Sequence, residues 1–253
     1  MDPEELKRKF RITGDYHTHT VYSRVGPYFH GKGKIIENVA AAAAAGLRAV
    51  AITDHGPSDF YGLDPKKIPQ MRKDIAEACA KYPDIKVYLG VEADIVDSAN
   101  GLDVAKEDFG LYDFVNAGYH YVRNCHMIAN QLAFRLPVPT RLKEKLRRQN
   151  TARIVRALTS NDINILTHPG DKAYIDEHEV ARTCAKTGTL IEINARHRHP
   201  DLEDLKIYAS YDNKFIISSD AHKPENVGRY LKSLELALAA GITPERIVNI
   251  EEV

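Results

Sequence analysis

The feature that most constrains this chain is an alternation. Seven apolar runs of strand length, at residues 12–19, 47–53, 86–92, 113–120, 164–168, 189–194 and 214–219, are separated by segments of largely helical periodicity. That pattern predicts parallel strands joined by crossover helices, an α/β fold. Six of the runs end in, or pass directly into, ligand-type residues: His17 with His19, Asp54-His55, Glu92, His120, His168, and Asp220 with His222. An open doubly wound sheet gathers its polar residues at one switch point, whereas ligands at nearly every strand end require those ends to converge. A closed or nearly closed barrel does that. The expected architecture is a seven-stranded (β/α)7 barrel, TIM-barrel-like, with its site at the C-terminal strand ends; an eight-stranded barrel is the nearest alternative.

Between the strands, helices are expected at Ile35–Ala45 with Gly46 as its stop, Lys66–Lys81, Thr140–Ser160 with Thr140 as the cap, Glu177–Lys186, Asp201–Tyr211 and Tyr230–Ala240. Residues 25–33 are Gly-rich and too irregular for a helix. Residues 94–103 read as a small excursion around Asn100-Gly101, and residues 121–139, with Pro137 and Pro139, as irregular.

A length of 253 residues with 43% hydrophobic content fits one domain over 1–253. Thirty-five basic residues balance 35 acidic ones, which argues against a dedicated surface for nucleic acid or anionic membrane. The basic stretch from Arg141 to Arg156 reads mainly as a solvated helix face. No apolar run approaches the ~20 residues of a membrane span, so a soluble, cytoplasmic protein is expected. Cys79, Cys125 and Cys184 have no pair spacing, and neither a disulfide framework nor a thiolate metal knuckle is indicated.

In a strand, residues i and i+2 face one way, so His17 and His19 project together, as do Asp220 and His222 around the last strand end. With His30 on the first connecting loop, the candidate metal ligands are His17, His19, His30, His55, Glu92, His120, His168, Asp220 and His222. This exceeds what one ion needs and implies two or three divalent metals. Imidazole mixed with carboxylate, without thiolate, suits zinc, iron or manganese. His126, His178, His197 and His199 lie outside the strand-end register and read as ordinary surface or loop residues.

The ordered series Asp15-Tyr-His-Thr-His-Thr20, Ile52-Thr-Asp-His-Gly56, Gly90-Val-Glu92, Gly118-Tyr-His120, Thr167-His-Pro-Gly170, Glu192-Ile-Asn194 and Ser219-Asp-Ala-His222 resembles the polymerase and histidinol phosphatase (PHP) superfamily of metal-dependent phosphoesterases. The resemblance implies a distorted seven-stranded barrel that usually holds three metals. It implies one ion on His17, His19, Glu92 and Asp220, a second on Glu92, His120 and His168, and a third on His55, His222 and His30. The loop position of His30 departs from the family pattern by an apparent insertion. Arg196 stands where phosphatases of the family offer an arginine to phosphate, and Glu92, Asp220 and Arg196 are the candidate catalytic residues. Asp15 and Asp54 flank ligand candidates and could accept hydrogen bonds from them or protonate the leaving alkoxide.

The ions would outweigh Glu92 and Asp220, leaving a positive surplus suited to a phosphoryl group attacked by a metal-bridging hydroxide. The expected function is hydrolysis of a phosphorylated small molecule, a phosphomonoester of the histidinol phosphate kind. A phosphodiesterase or exonuclease acting on nucleic acid is the alternative. The amidohydrolases also use His-x-His on a barrel but add a bridging lysine, and no strand end offers one here. A non-catalytic metal-binding module would have lost ligands that this chain retains. Oligomeric state is left open.

Overall fold

The computed structural model describes residues 2–122 and 125–253, apart from the side chains of Pro3, Cys125, His126 and Ile128. The readings of Cys125 and His126 therefore fall outside the described side chains. Helix α1 (Pro3–Lys9), capped by the Asp2 carboxylate, leads into β1 (Phe10–Ile12) and β2 (Gly14–Thr18). The Gly-rich connection forms a short hairpin, β3 (Arg24–Val25) with β4 (Tyr28–Phe29), before α2 (Ile35–Ala44). Then come β5 (Ala49–Ile52), α3 (Ile68–Lys81), β6 (Lys86–Asp94), β7 (Phe114–Gly118), α4 (Cys125–Arg135) and α5 (Thr140–Ser160). The chain ends with β8 (Ile165–Leu166), α6 (Glu177–Thr187), β9 (Leu190–Asn194), α7 (Leu202–Ala209), β10 (Phe215–Ser218), α8 (Leu231–Ala239) and β11 (Ile250–Glu252).

Seven strands form one parallel sheet in the order β10-β9-β8-β7-β6-β5-β2. Its two edges then meet, because the His19 amide donates to the Ala221 carbonyl at 2.8 Å and the Ala221 amide to the His17 carbonyl at 3.3 Å. The sheet is thus nearly closed as a barrel, as expected. β5 and β10 are buried along their whole length, which a parallel sheet covered by helices requires. The covering faces are the apolar stripes of the helices, such as Ile68, Met71, Ile75 and Ala78 on α3. Among the described residues no helix is long and apolar enough to cross a membrane.

Several local expectations need correction. The stretch before the first run, where no element is predicted, forms α1 and buries Leu6 in the core. The first run divides into β1 and β2, and β1 pairs antiparallel with β11, a strand too short and charged to announce itself in sequence. Residues 125–135 are helical rather than irregular; the segment lacks a clean apolar period because its buried face includes the polar Gln131. Pro139, not Thr140, occupies the cap position of α5, and no side chain caps that helix. The basic residues of α5 are partly occupied by ion pairs, Arg147 with Asp176 at 2.7 Å and Arg153 with Asp97 at 2.9 Å.

The seam between β2 and β10 is fastened by Asp15. Its fully buried carboxylate accepts from the Ser219 amide at 3.1 Å, the Ser219 hydroxyl at 2.5 Å and the Gly228 amide at 2.8 Å. Burial raises the pKa of Asp15 despite these hydrogen bonds, so the latch is held against a desolvation cost. Removing it takes the acceptor from these donors and from the His17 amide, which also reaches it at 3.4 Å. Asp15→Ala should destabilise the protein by about 2–4 kcal/mol, read as a lower denaturant midpoint at unchanged slope. An unchanged midpoint would show that the seam does not depend on this residue.

Candidate metal centre

Glu92 lies at the focus of the barrel mouth, fully buried near the end of β6. Its Oε1 stands 3.0 Å from His120 Nε2 and 2.9 Å from His168 Nε2. Its Oε2 faces the other way, 3.2 Å from His17 Nε2, 3.5 Å from His19 Nε2 and 3.1 Å from His55 Nδ1. Asp220 Oδ1 lies 3.3 Å from His19 Nε2 and 3.1 Å from His222 Nδ1. His30 joins them from the loop, its ring centroid 4.2 Å from that of His222 and 5.2 Å from that of His55, with Tyr61 stacked on it at 4.5 Å. The structure therefore brings together the nine side chains expected as ligands.

Local backbone geometry aims them. His168 and Asp220 both have positive φ, 30° and 50°, a conformation non-glycine residues adopt at a cost and chiefly at functional sites. It turns each side chain from the strand direction into the mouth. Gly118 allows β7 to pass close by: a Cβ there would meet Thr167 Oγ1 at 2.3 Å and the Cε1 atoms of His120 and His168 at 3.1 Å.

Tautomers test whether these residues suit metal. The Nδ1–H of His17 donates to Glu192 at 2.7 Å, and that of His120 donates to Asp94 at 2.7 Å. Each ring then presents an Nε2 lone pair to a Glu92 oxygen about 3 Å away, an arrangement of acceptor against acceptor. His222 donates its Nδ1–H to the Asp220 carbonyl, and its Nε2 has no partner. Glu92 Oε2, Asp220 Oδ1 and His55 Nδ1 are likewise buried without a hydrogen bond. Orphaned acceptors so concentrated are rare in folded proteins, and divalent cations would satisfy several at once. His19, His55 and His222 form one group with ligand atoms within 4.8 Å of one another; His17, His19 and Glu92 form another, and His55, Glu92 and His120 a third.

The electrostatics agree. Burial would raise the pKa of Glu92, but the imidazoles of His120 and His17 hold it well below the usual carboxylate range. Burial pushes His120 down to about 4, against the pull of Glu92. His168 falls to about 3 through burial and the nearby His197 and Lys172. Both rings are thus neutral, lone-pair-bearing imidazoles at ordinary pH. At His17 burial opposes charge, yet Glu92, Glu192 and Asp220 outweigh it and raise the pKa well above the ordinary value. A proton there and a bound cation are alternative answers to the same negative potential.

Asp15 and Asp54 do not orient imidazoles. Asp15 holds the barrel seam, and Asp54 accepts from the amides and hydroxyls of Thr20 and Ser23 at 2.6–3.1 Å, shaping the loop after β2. The orienting carboxylates are Glu192 and Asp94. Glu192 also accepts from the His168 amide at 2.8 Å.

His197, read as an ordinary loop residue, instead lies in the site, with Nε2 3.0 Å from Asp220 Oδ2 and Nδ1 3.1 Å from Asp171 Oδ2. A tight turn places it, since Asn194 Oδ1 accepts from the amides of both Arg196 and His197 at 2.8 Å; no periodicity in the sequence marks that turn. Arg196 stands 3.5 Å from Asp220 Oδ2. His178 and His199 engage Tyr211 and Asp204 elsewhere. The ligands open into a cavity of about 480 Å³ that is also lined by Asp59, Phe60, Tyr61, Tyr121, Arg135 and Lys172.

Comparison with known proteins bears on the family and the fold. The family described as the PHP domain matches residues 15–196. The chain is 30% identical over 244 residues to a protein of Syntrophotalea carbinolica named probable phosphatase, covering 93% of this chain and 90% of that one. A Thermoanaerobacter protein, also named probable phosphatase, is 27% identical, with 95% and 91% covered. Among solved structures, histidinol phosphate phosphatase from Lactococcus lactis, complexed with zinc, L-histidinol and phosphate, superposes with a TM-score of 0.60 at 20% identity, covering 91% of this chain and 94% of that chain. At that identity the likeness speaks for the fold.

Glu192 holds the His17 ring and the backbone amide of His168 without facing Glu92, so its removal should loosen metal binding without removing a donor. Glu192→Ala is expected to weaken metal affinity by about 10–100-fold, measured by competition with a chromophoric chelator. Wild-type affinity in that variant would mean His17 needs no outside partner to hold its tautomer.

Proposed function

The chain belongs to the PHP domain family, and from that premise we propose that it is a metal-dependent phosphatase of small phosphomonoesters. The observation that carries the reading is Glu92, one carboxylate whose two oxygens face different sets of imidazoles, the disposition of a ligand shared between ions. His17, His19, Glu92 and Asp220 would hold one ion, and Glu92, His120 and His168 a second. His55, His222 and His30 would hold a third. Zinc, iron and manganese are all compatible with these donors. When bound, the ions supply an activated water and positive charge for the phosphoryl oxygens.

The chain's own groups position the substrate. Arg196, beside Asp220 and half exposed, offers a guanidinium fork to phosphate oxygens. Lys172, held by Asp171 at 2.9 Å, adds a second positive charge to the cavity wall. His30 is supported as a donor by its contacts with His55 and His222 and by burial, which lowers its pKa to about 2 and keeps the ring neutral. A cavity of about 480 Å³ suits a small ligand, and the ion-paired face of α5 gives little support to a polyanion track; both favour a monoester over nucleic acid.

Metal-loaded protein should hydrolyse phenyl phosphate in preference to the corresponding bis-ester and to a single-stranded oligonucleotide. Glu92→Gln should reduce that rate by more than about a hundredfold, beyond the cost of losing an orienting partner. Cleavage of the oligonucleotide without monoester turnover would replace this reading with a nuclease.

His30→Ala should lower bound metal by about one equivalent while leaving the ions around Glu92 in place, since His30 lies on the loop after β4 and is not among the donors to those two ions. Elemental analysis of the purified variant checks this. Full metal content would remove His30 from the ligand set.

A further inference from the structure

Helix α4 is fastened to the metal centre by Gln131, whose buried side-chain amide donates to the His120 carbonyl. Residues i and i+4 share a helix face, so Arg135 projects on the same side, about 6 Å further along the axis. There its guanidinium carbon lies 5.1 Å from the ring centroid of Tyr121, and both residues line the cavity that holds the ligands. The Tyr121 hydroxyl is buried without a hydrogen-bond partner among the described residues.

The other charges of the cavity are engaged. Arg196 stands beside Asp220, and Lys172 is paired with Asp171. Besides Glu92 and Asp220, the carboxylate in the lining is Asp59. It is 4% exposed, accepts from the Tyr61 amide at 2.7 Å, and groups with Asp94 and His120. Arg135 has no carboxylate partner among the described residues; its contact is the Tyr121 ring. Val25 and Phe60, each about two-fifths exposed, contribute an apolar rim. An arginine held over an aromatic ring keeps its N–H donors for an anion.

We propose that the organic half of the substrate carries a second anionic group, a carboxylate or a further phosphate, and that Arg135 binds it. The proposal rests on the phosphatase reading and narrows it to a substrate class. An ammonium in the same place would meet the guanidinium of Arg135 and find no free carboxylate beside it, since Asp171 and Asp220 are engaged with Lys172 and Arg196, and Asp59 with the Tyr61 amide. A flat apolar portion between the two anionic ends would lie along Tyr121 and Phe60.

Four aryl phosphates with a common ring test this, differing only in a methylene-insulated para group: 4-(carboxymethyl)phenyl, 4-(phosphonomethyl)phenyl, 4-methylphenyl and 4-(aminomethyl)phenyl phosphate. The metal-loaded wild type should show kcat/KM for the better anionic ester at least about tenfold above the methyl ester, with the ammonium ester lowest. Whichever anionic ester leads separates a carboxylate from a second phosphate. Arg135→Ala should bring the ratio of anionic to methyl ester close to one, and Arg135→Lys should keep part of it, which mere loosening of α4 would not do. Equal rates across the series, a preference for the ammonium ester, or an undiminished ratio in Arg135→Ala would overturn the proposal while leaving the phosphatase reading intact. Turnover of none of the four would remove both.

Discussion

The burial of one carboxylate among five imidazoles is the condition on which the rest of this structure depends. Glu92 is fully buried, and His17, His19, His55, His120 and His168 all stand within 3.5 Å of its oxygens. A charge so placed cannot be solvated by water, and a carboxylate without compensation would take up a proton instead. Here ring lone pairs also face the carboxylate, so its charge is held only by a positive charge among the rings, a proton on His17 or bound cations. The barrel therefore concentrates electron-pair donors where only cations can satisfy them. A sheet left open at one edge would admit water and relax that demand.

A second layer of buried acids makes the arrangement specific. Glu192 and Asp94 each take the Nδ1–H of one imidazole and so determine which nitrogen faces Glu92. Asp15 and Asp54 bind backbone amides and hydroxyls instead, one closing the seam between β2 and β10, the other shaping the loop that delivers His30. Orientation of the rings and shape of the backbone are thus controlled by different acids. His197 ties the ligand candidate Asp220 to Asp171, the partner of Lys172.

The cavity above the ligands is asymmetric in charge. Arg196 and Lys172 accompany the metal side, whereas Arg135 reaches the mouth from α4 and lies over Tyr121. The anchoring of α4 through Gln131 to the carbonyl of His120 couples the outer wall to a ligand-bearing strand end. Whatever organic group fills that space is therefore met by elements mechanically tied to the site of chemistry.

Sequence by itself determined the strand count, the barrel and the nine converging side chains, because parallel strands carry their information locally: an apolar run for each buried strand and a polar residue where each run stops. Tertiary structure alone decided which acids orient rings, since Asp15 and Asp54 lie as near to histidines in sequence as Asp94 does to Glu92, and only packing shows which atoms each one meets. It likewise decided the place of His197, turned inward by an Asn194-centred turn with no periodic signal, and the pairing of β1 with β11, two short segments from opposite ends of the chain. The helix of residues 125–135 belongs with these. Its buried Gln131 breaks the apolar pattern that would have announced it, and the reason that residue is buried, a carbonyl at the end of β7, exists only once the barrel has formed.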